Sequence, residues 1–555
     1  MKTKIQHLLL ACISTIFLGG ILASCSDKLS ELQLPYLFRP INFAVSVSGV
    51  NATFSWAAVD SAKSYTIQIS QDSLQFSNII STTTTTNLSY SIELAGLTRY
   101  SARVRANASD TTKNSKFNST LTFKTPAENI FSGFGTNVGT GTLVSAYMTA
   151  MNSLDIKWLP GANVTHLILT ASGVRDSVPI SSAEALAGAK TVTGLTNASY
   201  TVQIYNNTRL RGTTTGLVEG DVYVTTGAQL ASAIASATAG QVIVLAPSTT
   251  YSLGSAKVSF PTSVKLRGLQ PTNRPVVCMT SGSVSTTSTM LGFTASSTMD
   301  YVKFENIDIT GYADNNTSGT KIGYLFNNST MATVGTLSFT NCLIRNFSNT
   351  PMRLQGSTGQ RISNLTFLGC TIYDIGFGST YAIVNVNNTT DYIDNISFTN
   401  CTAFNFKGSF ILRTATSVSV SMGSIAVTNC TFNQSTQDGT TTRCFIDANG
   451  VTGITSGIKV QNCIFGSNGT IGAGIRAGTT ASPLSATLTG NYYTSDFNDN
   501  SSAITATFGT YSIMGKITSY SGASTALWNS PTTGDFTLKD ATFAGKGSAG
   551  DLRWY

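Results

Sequence analysis

The sequence predicts an all-β chain, two small antiparallel sandwiches followed by a long parallel β-helix, and three observations carry that prediction. After residue 336 six segments align without gaps, and the cysteines of the first five stand 28, 31, 29 and 33 residues apart. In each segment an apolar residue is followed two positions later by another, usually Phe or Val, which is the alternation of a strand with one inward face. Ahead of them, short β-rich runs alternate with polar turns at sandwich spacing. At 555 residues the chain is too long for one compact core. Charged residues make up 11% and hydrophobic ones 41%, so disorder driven by charge is excluded. The net charge is +8 without a basic run, which leaves no footprint for nucleic acid. His7 and His166 are the only histidines, which excludes His-clustered zinc sites and any Ser-His-Asp triad in the C-terminal region.

Lys2 and Lys4 precede an apolar run from Leu8 to Leu22, then Ala23, Ser24 and Cys25. The run is shorter than a membrane helix needs and ends at small residues, so residues 1–24 read as a cleaved secretory leader. Leu22-Ala23-Ser24-Cys25 resembles the lipobox of bacterial lipoproteins. That resemblance implies acylation of Cys25, a tether over 25–38, and a lipid-anchored protein of the cell envelope at the outer membrane. Asp60-Ser61-Ala62, Asp72-Ser73-Leu74, Asp110-Thr111-Thr112 and Asp176-Ser177-Val178 look like the O-glycosylation triplet of some envelope proteins.

Residues 39–126 hold the first sandwich, with strands such as Thr53-Phe54-Ser55-Trp56 and Tyr65-Thr66-Ile67-Gln68-Ile69. An early tryptophan, then Leu97-Thr98-Arg99-Tyr100 running into Ser101-Ala102-Arg103-Val104-Arg105, resembles the fibronectin type III pattern. Residues 127–220 repeat it more loosely through Trp158, His166-Leu167-Ile168-Leu169, Leu195 and Tyr200-Thr201-Val202. His166 has no ligand or carboxylate partner nearby in sequence and reads as an ordinary strand residue. Both modules are expected to act as spacers.

Residues 221–525 are expected to wind as the β-helix, in at least seven turns. Its repeats begin at Leu337, Leu365, Ile396, Ile425, Ile458 and Ala486, and an earlier copy from Val302 carries Ile307 where the others carry cysteine. The column before the cysteine holds Asn306, Asn341, Asn400, Asn429 and Asn462, but Gly369 and Gly490. Asn exchanged only with Gly marks a left-handed backbone position, hence a bend between two strands. Coils stacked at ~4.8 Å turn these columns into ladders of amides and thiols. Parallel stacked thiols are poorly aimed for disulfides and do not surround an ion, so buried free cysteines and no metal site are expected. A helix over 229–237, with Leu230, Ile234 and Ala237 on one face, should plug the N-terminal end, and 526–555 should cap the other.

That helix, the turn at Gly240 and the strand Val242-Ile243-Val244-Leu245 resemble the opening of polysaccharide-lyase β-helices such as chondroitinase B and alginate lyases. The ending at Gly550-Asp551-Leu552-Arg553-Trp554-Tyr555 is similar to that of lipoproteins joining fibronectin modules to such helices, found among polysaccharide-utilisation genes. The implied fold is two fibronectin type III-like β-sandwiches followed by a right-handed parallel β-helix; the implied partners are polysaccharide and other glycan-uptake proteins.

The resembled lyases use Lys and Arg with calcium held by Asn and Glu. Here Glu305 is the sole glutamate from Tyr223 onward, without an acidic cluster, so that cradle is missing and no cofactor is expected. Asp391 and Asp394 read as a solvated loop pair. Counting 17 residues back from Cys370, Cys401 and Cys430 gives Arg353, Val384 and Arg413, and Asp447 and Arg476 stand 16 and 15 before Cys463 and Asn491. Each follows Met352, Ile383, Leu412, Ile446 or Ile475, which should face the core, so the column should face solvent. Arg353 and Arg413 would then lie two coils apart, about 10 Å. Guanidinium groups there can grip carboxylate or sulfate, and Tyr381, with Tyr373, Tyr392 and Phe445, can stack on sugar rings. The alternative is a column that merely shields the sheet, with Asp447 as an ion-pair partner. Three functions remain open: polysaccharide binding through the β-helix without cleavage, a lyase acting on uronic-acid glycans, and a structural stalk or adhesin.

Overall fold

The repeated columns stack directly over one another. The computed structural model describes residues 36–555 apart from 73, 137–141, 357, 380, 387, 389, 414–421, 439–443, 450, 452, 470–473, 479–485, 499–509 and 513–516, with only the backbone at 119–121, 413, 449, 478 and 510–512. The leader, Cys25 and most of the tether lie outside the described residues, as does Ser73. From residue 250 onward the chain is a β-solenoid of about 8 turns. Among the described residues its strands form three sheets of ten, ten and nine. The first runs from Val222–Val224 to Ala486–Thr489, the second from Thr250–Ser252 to Thr518–Ser519, and the third from Val258–Phe260 to Thr510–Ser512. Neighbours pair in parallel until the third sheet's last pair, Gly474–Gly478 with Thr510–Ser512, which is antiparallel.

In the first sheet Phe304, Phe339, Phe367 and Phe398 share one register, continued by Val427, Val460 and Leu488. Their rings stack at 4.8, 5.0 and 4.4 Å with interplanar angles of 8°, 8° and 3°. Such a file buries large apolar area while each ring keeps the same rotamer, so every added coil repeats one favourable contact.

The bend that follows is left-handed at Asn306, Asn341, Asn400, Asn429 and Asn462, with φ between 50° and 58°, and at Gly369 and Gly490, with φ of 62° and 65°. Asn341 Nδ2 donates to Asn306 Oδ1 at 2.7 Å, one rung of the amide ladder. Asn429→Gly should therefore change stability by less than about 1 kcal/mol, whereas Asn429→Val should cost about 1–2 kcal/mol from the left-handed backbone alone. Denaturant midpoints of the two variants check this. Cys342, Cys370, Cys401, Cys430 and Cys463 are all free and at most 1% exposed. Each thiol donates to the carbonyl two residues before it at 3.3–3.6 Å, closing the bend. Burial pushes the Cys342, Cys401 and Cys430 thiols well above the usual range.

The N-terminal helix spans Gly227–Ala235, starting and ending two residues earlier than the pattern suggested. Thr226 sets the start, its side chain accepting from Gln229 N as an N-cap. Leu230 and Ile234 are fully buried in the solenoid core, and Ala237 lies past the helix end but still packs there.

Ahead of the solenoid are fibronectin type III-like sandwich sheets. The first module pairs the three-stranded sheet of Ala44–Ser48, Asn51–Ser55 and Ser89–Glu93 with a four-stranded one of Ile79–Thr85, Ser64–Ser70, Arg99–Asn107 and Asn118–Lys124. Phe54, Trp56, Tyr65 and Tyr100 fill its core. Tyr100 Oη accepts from Ala95 N at 3.0 Å, and in the second module Tyr200 Oη accepts from Thr196 N at 3.1 Å. This tyrosine tying its own preceding turn is a sandwich feature. The second module adds a helix the pattern did not predict, Ser182–Ala187, opened by a capping box between Ser181 and Glu184. His166 lies half-buried on the strand His166–Ala171, its Nδ1 2.9 Å from Thr165 Oγ1.

The chain divides into two compact units, residues up to Ile130 with Ile204–Gly212, and Phe131–Gln203 with Thr213–Tyr555. Most of the second module thus belongs with the solenoid. Asn306 Nδ2 donates to Tyr147 Oη at 2.9 Å, and Glu219 pairs with both Lys265 and Arg267. These ties make this module a docked wall of the solenoid, which the spacer expectation did not include.

Residues 526–555 do not cap the end. They form a strap along the outer face of the second sheet, where Trp528, Phe536 and Phe543 pack with Phe404 and Ile464. The physical reason is that this face carries Tyr373, Phe404, Ile464 and Tyr492, apolar surface that must be covered. Near its end the strap crosses nearly one coil per residue: Gly550 N donates to Asn462 O at 2.7 Å, Asp551 N to Thr431 Oγ1 at 2.9 Å, and Arg553 Nη1 to Gly369 O at 2.8 Å.

Candidate functional site

The outward column of the third sheet is Asn327, Arg353, Asn385, Leu412, Asp447 and Arg476. Val384 is in the core at 0% exposure, and Leu412 takes the outward place assigned to Arg413. Arg413 stands one position on, in register with Leu354 and Val386, so it does not share a column with Arg353; its side chain lies outside the described residues. The cause is a variable loop. The outward residue lies 17, 16, 18, 16 and 15 residues before the next cysteine-column position (Cys370, Cys401, Cys430, Cys463, Asn491) from Arg353 to Arg476, so a fixed count slips by one residue and reverses the face.

The column residues are not gathered into one site. Arg476 Nε and Nη2 donate to the two oxygens of Asp447 at 3.0 and 2.5 Å, a self-neutralised pair. Arg353 lies between two rings from adjacent coils, Cζ 4.5 Å from the Tyr381 centroid and 5.8 Å from that of Tyr324, and Nη1 donates to Tyr324 Oη at 3.4 Å. Burial pushes the Tyr324 phenol up. Phe445 is in the core, and Tyr392 lies under Arg361 at 5.1 Å.

Asp391 and Asp394 are not a solvated pair. Asp391 is fully buried, its Oδ1 accepting from the backbone N–H of Thr358, Gly359 and Gln360, and so organises a turn. Asp394 pairs with Arg361 at 2.6 Å. Glu305 is likewise engaged, 2.6 Å from Lys265 and 3.7 Å from Arg267. Burial opposes its charge, yet these two cations hold the carboxyl below its usual range.

The concave surface lies elsewhere, beside the strap. One cleft of ≈ 460 Å³ is floored by Thr371, Tyr373 and Phe404 of the second sheet and walled by Thr532–Gly534 and Trp554. A second, also ≈ 460 Å³, lies between Phe134 and Tyr147 of the docked module and the bends at Asn306 and Asn341. Arg274 and Arg553 line both. From the coil of Asn306 to that of Phe404 is three coil spacings, about 14 Å. Tyr373 and Phe404 stack in parallel at 4.9 Å, and burial pushes the Tyr373 phenol up.

The two arginines differ. Arg553 Nε donates to Asp551 Oδ1 at 3.0 Å, and Nη2 reaches Cys370 O at 3.2 Å. Burial opposes its charge, but Asp551 raises it above the usual range. Arg274 donates from Nε to Asn341 O at 2.7 Å and from Nη2 to Asn341 Oδ1 at 2.5 Å. No carboxylate pairs with it among the described residues, and burial, with Arg553 beside it, lowers it below the usual range. Sequence reasoning missed this site because Arg553 meets Gly369 across 184 residues. The available signal was the outward Tyr373 and Phe404, which demanded a cover.

Residues 425–554 match the model of a family described as a domain of unknown function, DUF5123. No curated protein matches the chain. Among solved structures, a two fibronectin type III domain segment from chicken tenascin is 14% identical, covering 33% of this chain and 99% of that one, with a TM-score of 0.19. The FN1–FN3 domains of chicken CNTN1 are 13% identical over 33% of this chain and 68% of that one, with a TM-score of 0.15. The family match takes in the last coils and the strap up to Trp554, and so includes Arg553 and one wall of the first cleft.

Proposed function

We propose that the protein binds polysaccharide, holding a glycan segment in the paired clefts, from a cell-envelope position anchored through Cys25. A β-solenoid behind fibronectin-like modules suggests a carbohydrate-active or structural extracellular protein. The observation that carries the binding reading is the groove itself: about 14 Å of aromatic and arginine-lined surface suits a short run of sugars rather than one. Aromatic faces stack on the apolar faces of sugar rings, and guanidinium groups donate to their oxygens.

Affinity electrophoresis of the full chain through a panel of polysaccharides tests this. Retardation by at least one glycan is expected, and Tyr373→Ala should weaken it about tenfold, ~1.4 kcal/mol, when read well below the variant's melting transition, which loss of the Phe404 stack lowers. Retention by no glycan would leave the stalk reading. Growth of unsaturated-product absorbance in the same mixtures would favour a lyase.

A further inference from the structure

We infer that the junction of the two clefts seats one anionic group of the bound chain, a carboxylate or a sulfate, and that Arg274 is the residue that selects it. The inference rests on the glycan-binding reading above and names the chemistry of its central subsite.

The neighbouring arginines are all neutralised. Arg267 has Glu219 and Glu305, Arg345 has Asp308, and Arg553 has Asp551. Arg274 is half-buried and has no carboxylate at ion-pair distance among the described residues: its hydrogen bonds go to the neutral Asn341, and Asp308, whose field reaches it, is already bound by Arg345. An anion arriving from solution supplies the missing counter-charge.

Geometry favours the same conclusion. Asn341 holds Nε and one hydrogen of Nη2, which fixes the guanidinium plane. Nη1 has no partner among the described residues, so the terminal edge, Nη1 with the second hydrogen of Nη2, stays available to a two-oxygen acceptor. That edge belongs to a residue lining both clefts, so the group it holds lies mid-chain, with sugars continuing towards Tyr373 on one side and Tyr147 on the other. Asp374 lines the first cleft and Glu305, held by Lys265 and Arg267, the second, so the groove as a whole does not suit a continuous run of anions and the preferred one is the group at Arg274.

The test compares matched glycans on the full-length protein: polygalacturonate against its carboxyl-reduced form, and chondroitin sulfate against its desulfated form. At least one charged form should bind about tenfold or more tightly than its neutralised partner, and which pair responds identifies carboxylate or sulfate. Arg274→Gln should abolish that difference and Arg274→Lys should keep part of it, while Tyr373→Ala weakens both forms alike. Equal binding of charged and neutralised forms, or an Arg274→Gln variant that keeps the preference, overturns the inference and leaves the cleft reading standing. Retention of none of the four glycans, with the wider panel equally inert, overturns the cleft reading itself. Should Arg274→Gln fail to fold, the wild-type salt dependence decides: the advantage of the charged form must fall as ionic strength rises, and a salt-independent advantage overturns the inference.

Discussion

Phe367→Ala is expected to destabilise the solenoid by about 3–5 kcal/mol, the range for a buried phenylalanine truncated in a well-packed core. Phe367 is 2% exposed and stacks between Phe339 and Phe398 at 5.0 and 4.4 Å. Both neighbours are fixed by main-chain pairing in the same register, so neither ring can move in to fill the gap. Because each coil touches mainly the next, the loss also weakens coupling between the coils on either side. Chemical denaturation should show a lower midpoint, and a broader transition if the two halves begin to unfold separately. Thr366→Ala, one residue away on the outward face, should stay within about 0.5 kcal/mol. Equal effects from the two substitutions would contradict the stacked core.

Arg553→Ala is expected to be comparably severe for a different reason. The Asp551 side chain is fully buried, with Arg553 as its ion-pair partner and Thr402 Oγ1 donating at 2.7 Å. Removing the guanidinium leaves a buried carboxylate without its cation, a loss of about 3–5 kcal/mol. It also severs the links to the carbonyls of Gly369 and Cys370. The strap should become sensitive to limited proteolysis, and glycan retention should vanish because Trp554 no longer walls the cleft. Adding Asp551→Ala should restore part of the stability but none of the binding. Glycan retention by the single variant at the wild-type level would place the binding surface away from the strap.

These two variants mark what the sequence discloses and what it hides. The coil is legible because the constraint at each rung is local: a left-handed bend accepts Asn or Gly, the position after it accepts a small buried thiol, and Phe recurs two residues before the bend. The strap is hidden because nothing local links Arg553 to Gly369 or Asp551 to Thr402. The third-sheet column falls between these cases. Its inward members Met352, Ile446 and Ile475 follow from apolar character, but loop length decides which neighbour faces out, and the loops differ by up to three residues. Arg274 looks unremarkable in sequence, between Asn273 and Pro275; its chemistry comes from a partner 67 residues away and from an acid, Asp308, that reaches it only through space while paired with Arg345.

The uneven loops have a consequence for how such a molecule can change. Sheet pairing absorbs intervals of 28 to 35 residues between bends without losing register. Whole rungs can therefore be duplicated or lost by recombination between near-identical stretches, while a deletion that cuts a strand by one residue turns its inside out. Lineages descended from this architecture should differ in length by multiples of one winding, and new decorations should accumulate at the corners between the second and third sheets, where the span from cysteine column to outward residue already runs from 11 to 17 residues.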